Sequence, residues 1–151
     1  MTSNAEIIID IIRAIEERDA KRVLQLCQPD VEFIWPPSLP YGAGATHLET
    51  ELDGGQASAT AGSGPPPSWL GTWAPLQPTA DSRRMDPQVV GTLDNMVVVR
   101  WHQRGLDFQG RPADEEVLAL YEFVDARLAR AQMFYFDTTR VADFLARAAQ
   151  T

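Results

Sequence analysis

Apolar positions recur at helical spacing in the first part of the chain and alternate, strand-like, in the last part. Ile8, Ile11, Ile12 and Ile15 fall on one helical face, and Ser3 followed by Glu6 can close a capping box ahead of them, which predicts a helix over 4–18. A stripe of isoleucine, with its stiff rotamers, suits packing on a sheet better than a free-standing helix. Asp19 can cap a second short helix carrying Val23, Leu24 and Leu26 and ended by Pro29 and Asp30. Val31 to Trp35 then reads as a short strand stopped by Pro36 and Pro37. Ser68 can cap a third, short helix that presents Trp69, Leu70 and Trp73 before Pro75 closes it. Beyond it, β-branched and aromatic residues punctuated by turn residues predict strands over 88–93, 96–104, 116–124 and 128–137, the first of them weak. Val97, Val99 and Trp101 share one face of the second of these strands, and Arg100 and His102 share the other. Thr138 or Thr139 can cap a terminal helix with Val141, Phe144 and Leu145 on one side. Helices first and strands last predict an α+β domain, an antiparallel sheet curled around its helices.

Composition changes this picture in one place. Residues 43–67 are built mainly from Ala, Gly, Ser, Thr, Pro and acids, with two leucines, and cannot bury enough apolar surface to offset the entropy of ordering. They read as a mobile insertion in a single domain spanning 1–151; a helical stretch over 46–52 would be ended by Gly54 and Gly55. Gly42 and Gly44 beside Tyr41 read as plain loop.

Charge and chemistry narrow the classes further. Asp and Glu number 21 against 13 Lys and Arg, a net charge of −8, which disfavours nucleic acid as a partner. The N-terminus has no basic region, and the isoleucine-rich stretch is interrupted by Asp10 and Arg13, so neither a signal peptide nor a membrane span is expected. The single Cys27 reads as a small core residue in a reducing compartment, and a cytoplasmic location follows as the expectation. No metal-ligand spacing, phosphate-cradling glycine loop, Ser-His-Asp set or redox cysteine pair is present, so cofactor-free and metal-free action is expected.

Two segments carry a family resemblance. Arg18-Asp19-Ala20 leading to Gln28-Pro29-Asp30-Val31-Glu32-Phe33, and the run from Val97-Val98-Val99-Arg100-Trp101 to Phe134-Tyr135-Phe136-Asp137, resemble the nuclear-transport-factor-2-like superfamily, particularly its SnoaL-like branch. The resemblance covers 4–42 and 86–147 and implies a cone-shaped curved antiparallel sheet with the N-terminal helices packed on its concave face. It also implies a conical cavity for a small apolar molecule with a few oxygens, and a homodimer paired through the outer sheet face. The family's scaffold carries several chemistries, so it does not by itself select one. Laid over the ketosteroid-isomerase-like pattern, Ile11 stands in place of the helical Tyr and Trp35 in place of the base. Laid over the limonene-epoxide-hydrolase-like pattern, Arg100 matches, but His102 and Phe134 stand where acids are needed, and Asp137 lies at a helix start where capping is its natural role. In the polyketide-cyclase-like pattern Asp107 holds the position of the histidine, and the acid of the following strand is Glu115 or Glu116.

The site expected on these grounds is an acid–base set of His102, Glu116 and Glu122 as proton shuttles with Arg100 as oxyanion partner, acting on an apolar carbonyl compound in the manner of a cyclase or isomerase. Trp35, Trp69, Trp73, Tyr121, Gln132 and Tyr135 are the candidate ligand contacts. The alternative from another class is a non-catalytic ligand-binding or dimerisation module of the same fold, because each catalytic set is incomplete.

Overall fold

The computed structural model describes residues 2–42, 45–47 and 68–149, and all structural statements concern these. The expected segment 43–67 lies outside them except at 45–47.

Helix α1 is Asn4–Glu16, with Ser3 Oγ accepting from the Glu6 amide at 3.2 Å and Ile7, Ile8, Ile11 and Ile12 buried. It stops two residues short of the sequence expectation because Arg18 turns the chain with φ at 60°, a conformation more natural to glycine. Asp19 accepts from the Arg22 amide at 3.1 Å and caps α2, Ala20–Leu26. Strand β1, Cys27–Ile34, follows without a gap and starts earlier than expected. Pro29 is tolerated there because the pairing register slips between Cys27 and Glu32, where the ladder needs no donor from it. Strand β2, Ala45–His47, pairs antiparallel with β1, so Thr46 and His47 are extended rather than helical. Helix α3 is Trp69–Trp73, capped by Ser68 and continued by a 3-10 turn at Ala74–Leu76; α4, Ala80–Arg83, was not anticipated.

The remaining strands are β3 Gln88–Leu93, β4 Met96–Leu106, β5 Pro112–Val124 and β6 Arg127–Tyr135, followed by α5, Thr138–Ala149. Asp137 Oδ1 accepts from the Arg140 amide at 3.1 Å, so Asp137 caps α5 and Thr138 is its first residue. The six strands form one sheet in the order β2-β1-β6-β5-β4-β3, antiparallel throughout except for the parallel β1–β6 pair. The sheet is curved and unclosed. The β4–β5 hairpin runs from Met96 opposite Glu122 to Leu106 opposite Pro112, longer at its far end than its residue pattern indicates. Asp107 makes that extension possible: its carboxylate accepts from the Gln109 and Arg111 amides, each at 2.9 Å, and from the Arg111 guanidinium at 2.8 Å. Burial pushes this carboxyl up, but the hydrogen bonds from Arg111 and Gln109 outweigh it and hold it below the usual range.

Alternation assigns the two faces of the sheet. Val97, Val99, Trp101 and Gln103 of β4, Glu115, Val117, Ala119 and Tyr121 of β5, and Ala131, Met133 and Tyr135 of β6 are buried on the inner face. The isoleucine face of α1 belongs to the same core, each such side chain contributing roughly 1.5–3 kcal/mol by leaving water. The outer face carries Arg100, His102, Leu118, Glu122 and Phe134, partly or well exposed.

Candidate functional site

Between α1, α2 and the inner sheet face lies a cavity of about 100 Å³. Its walls are mainly apolar, with Ile8, Ile11 and Ile12 from α1, Val23 from α2, Leu128 and Met133 from β6, and Met85 and Leu70, while Arg18 and Asp19 line it where α1 turns into α2. Aromatic rings form the rest, namely Phe33, Trp35, Trp69, Trp101 and Tyr121. Trp35 and Trp69 stack with ring centroids 5.9 Å apart and planes 6° from parallel, a flat wall that survives because Trp69 Nε1 donates to Gln103 Oε1 at 2.7 Å.

That bond belongs to a buried chain of polar groups. The Tyr135 hydroxyl donates to Gln103 Oε1 at 3.1 Å and lies 2.8 Å from the Tyr41 hydroxyl, which accepts from Trp73 Nε1 at 3.1 Å. Gln103, Tyr41, Tyr135, Trp69 and Trp73 are all buried, so the chain fixes the aromatic wall from behind.

One polar atom in the cavity wall is different. Trp101 is 1% exposed and its Nε1–H has no hydrogen-bond partner among the described residues. It lies beside the Tyr121 phenol, close enough to favour the phenol's charged form, yet completes no hydrogen bond among the described residues. Burial pushes that phenol far above its ordinary value, the neighbouring indole offsetting only part, so at neutral pH it is a hydroxyl and not a base. The cavity therefore offers an apolar body with hydrogen-bond donors at Trp101 and Tyr121.

The expected site residues divide between the two faces. Trp35, Trp69 and Tyr121 line the cavity; Trp73 and Tyr135 stand in the hydrogen-bonded layer behind it. Gln132 is on the outer face, between inward Ala131 and Met133. Arg100, His102, Glu116 and Glu122 are also on the outer face, the odd-numbered residues of β5 and β4 being the buried ones, and a ligand in the cavity touches none of the four. Their contacts are with one another and with neighbouring strands. Arg100 pairs loosely with Glu116 at 3.8 Å, Glu122 with Arg130 at 3.1 Å, and His102 Nδ1 with Asp114 at 2.7 Å. Asp114 also holds Arg104 at 3.1 Å; partial burial raises its carboxyl, and the bonds from His102 and Arg104 more than reverse this.

The acid of β5 that does face inward is Glu115, opposite Gln103 in register. Its side chain is 9% exposed, it pairs with Arg140 at 3.0 Å, and burial pushes its carboxyl above the usual range although Arg140 opposes this. It lines a separate cleft with Arg140, Asp143 and Arg147. Sequence reasoning passed over Tyr41 and Gln103; the signal for Gln103 was its parity with Val97, Val99 and Trp101.

The fold has counterparts among solved structures. The fold is that of NTF2-like proteins. TerC, crystallised with polyporic acid, superposes with a TM-score of 0.71 at 17% identity, over 96% of this chain and 99% of TerC. An NTF2-like protein of unknown function from Burkholderia pseudomallei K96243 gives 0.67 at 18% identity, covering 96% of this chain and 98% of that one. A loop-truncation variant of IdmH gives 0.61 at 19% identity, covering 94% and 99%. No known protein-family profile and no curated protein sequence matches the chain. Among the described residues no helix is long and apolar enough to cross a membrane.

Proposed function

We propose that this chain is a SnoaL-like small-molecule-binding protein whose interior cavity takes a compact apolar compound carrying a hydrogen-bond-accepting oxygen, a ketone or related carbonyl. The observation that carries this reading is the Trp101 Nε1–H, without a hydrogen-bond partner among the described residues, in a wall that is apolar apart from Arg18, Asp19 and the Tyr121 hydroxyl. A buried donor left unsatisfied costs about 1–3 kcal/mol, and a ligand oxygen that accepts from it recovers that energy on binding. TerC, similar in fold, was crystallised with an organic ligand, which agrees with a ligand-holding cavity. Binding is the better reading than acid–base catalysis because the one carboxylate lining the cavity among the described residues, Asp19, already caps α2, and the Tyr121 phenol stays protonated.

The test uses a matched pair, 1-indanone and indane, titrated while tryptophan fluorescence is followed. Wild-type protein should bind the ketone roughly tenfold more tightly, the equivalent of one hydrogen bond of about 1.4 kcal/mol. Trp101→Phe should erase the preference while leaving indane affinity within about twofold. Because the N–H has no partner to lose, this variant should remain folded with a cooperative thermal transition. Equal affinity of wild type for the two compounds, or a preference that survives in Trp101→Phe, would refute the carbonyl reading.

The outer face supports a second proposal, a homodimer. Leu118 and Phe134 are 40% and 46% exposed near the middle of the sheet, opposite each other in the β5–β6 register. Apolar side chains paired in this way gain by meeting their own copy across a twofold axis. Sedimentation equilibrium should give twice the chain mass, and Leu118→Glu should return the monomer; a monomeric wild type at micromolar concentration contradicts the pairing.

A further inference from the structure

Beside the cavity stands a pair of cations, Arg18 in its wall and Arg83 next to it, with no carboxylate in ion-pair distance among the described residues. Arg18, where α1 turns into α2, lines the cavity and is half-buried. Its Nη1 donates to the Ile15 carbonyl at 2.8 Å and its Nη2 to Gln77 Oε1, so two of the five N–H donors of a guanidinium are engaged. Arg83 of α4 stands close enough that its charge, after burial, depresses the Arg18 pKa. Arg83 in turn donates to the Gln77 carbonyl at 3.1 Å and to the Pro78 carbonyl at 3.5 Å. Gln77, 4% exposed and held from a third direction because its Nε2 donates to the Arg104 carbonyl at 2.7 Å, clamps both arginines in place.

Neither arginine has a carboxylate within ion-pair distance among the described residues, although the chain has net charge −8. Arg84, Arg100, Arg104, Arg111, Arg130 and Arg140 each hold one. The acids nearest in sequence are committed elsewhere: Asp19 to the Arg22 amide, and Glu16 to the Met85 amide at 2.6 Å. Two like charges brought together beside an apolar cavity repel each other, and Arg18 further adopts a left-handed backbone that glycine would take more easily. An anion placed between them removes the repulsion and fills the unused donors.

We infer that the natural ligand is an amphipathic organic acid, its apolar body in the cavity and its carboxylate at the rim between Arg18 and Arg83. The inference rests on the cavity being a ligand site, as proposed above, and adds the charge of the ligand. Arg18 fixes one end of the molecule, so the other end is the one presented to Trp101.

The experiment compares 4-phenylbutanoate with 4-phenylbutanol by calorimetric titration at neutral pH and low salt. Wild type should prefer the acid about tenfold, and the preference should shrink as salt is raised. Arg83→Gln should reduce the preference to about threefold or less with the alcohol affinity unchanged, and Arg18→Gly should reduce it as far, read as the ratio of acid to alcohol affinity because Arg18 itself lines the cavity. Arg18→Gly relieves the left-handed strain and so guards against loss of folding; a cooperative thermal transition in each variant confirms it. Alcohol and acid binding alike, or an acid preference untouched by both variants, overturns the carboxylate site and leaves the cavity reading standing. Binding of neither compound overturns both.

Discussion

Replacing Gly42 by alanine is expected to destabilise the fold by roughly 3 kcal/mol or more, among the larger effects available to a single methyl group. A Cβ at this position would lie 1.8 Å from the Pro36 carbonyl oxygen, 2.7 Å from its carbon and 3.0 Å from Pro37 Cα. Those atoms are backbone, in a turn already closed by bonds from the Leu39 amide to the Pro36 carbonyl at 3.1 Å and from the Gly42 amide to the Leu39 carbonyl at 2.9 Å. No side chain can move aside, so the turn itself must open. The residue it carries is Tyr41, 0% exposed, whose hydroxyl joins Trp73 to Tyr135. Opening the turn therefore loosens the layer behind the aromatic wall, and ligand affinity should fall together with stability. Urea unfolding of Gly42→Ala measures this directly; a loss under about 1 kcal/mol would mean that the turn is far softer than its contacts imply.

The same glycine shows where a one-dimensional reading ends. Hydrophobic periodicity located α1, the short α3, the weak edge strand β3 and the three long strands, because each buries its residues at a period written into the chain. The fold followed from that pattern and from the quoted motifs. What a period cannot show is a close approach between residues distant along the chain, or a turn closed on itself, and Gly42 against Pro36 is such a contact. Tyr41 looked like loop because its neighbours are turn residues; its partner Tyr135 is 94 positions away. Alternation correctly put Arg100 and His102 together on one face of β4 and Val97, Val99 and Trp101 on the other. Which face meets the helices is decided by tertiary packing, and charge on Arg100, His102, Glu116 and Glu122 drew attention to the solvent side. The inner face was described by the less conspicuous series Trp101, Gln103, Tyr121 and Glu115, whose parity with buried valines was available in the pattern, and of these Trp101 and Tyr121 line the cavity.

Gln103→Leu is the second substitution with a large expected effect, about 2–4 kcal/mol, although it leaves side-chain volume nearly unchanged. Gln103 is 1% exposed, and its Oε1 accepts from both Trp69 Nε1 and the Tyr135 hydroxyl. Leucine removes the acceptor and leaves those donors in a dry interior, each at a cost of about 1–3 kcal/mol unless it finds another partner. Tyr135 has one at hand, the Tyr41 hydroxyl 2.8 Å away, whereas Trp69 Nε1 shows no second bond among the described residues and must turn or stay unsatisfied. If it turns, its stacking on Trp35 is lost and one wall of the cavity goes with it. Tyr135→Phe, which removes a donor and leaves Gln103 bonded to Trp69, should cost only about 1 kcal/mol. The decisive measurement is a double-mutant cycle. Trp69→Phe removes the stranded N–H, so in the Gln103→Leu background it should cost at least 1 kcal/mol less than in wild type. Additive costs within about 0.3 kcal/mol would show that the bond from Trp69 to Gln103 does not hold the wall, and the link drawn between the buried polar chain and the shape of the cavity would fail.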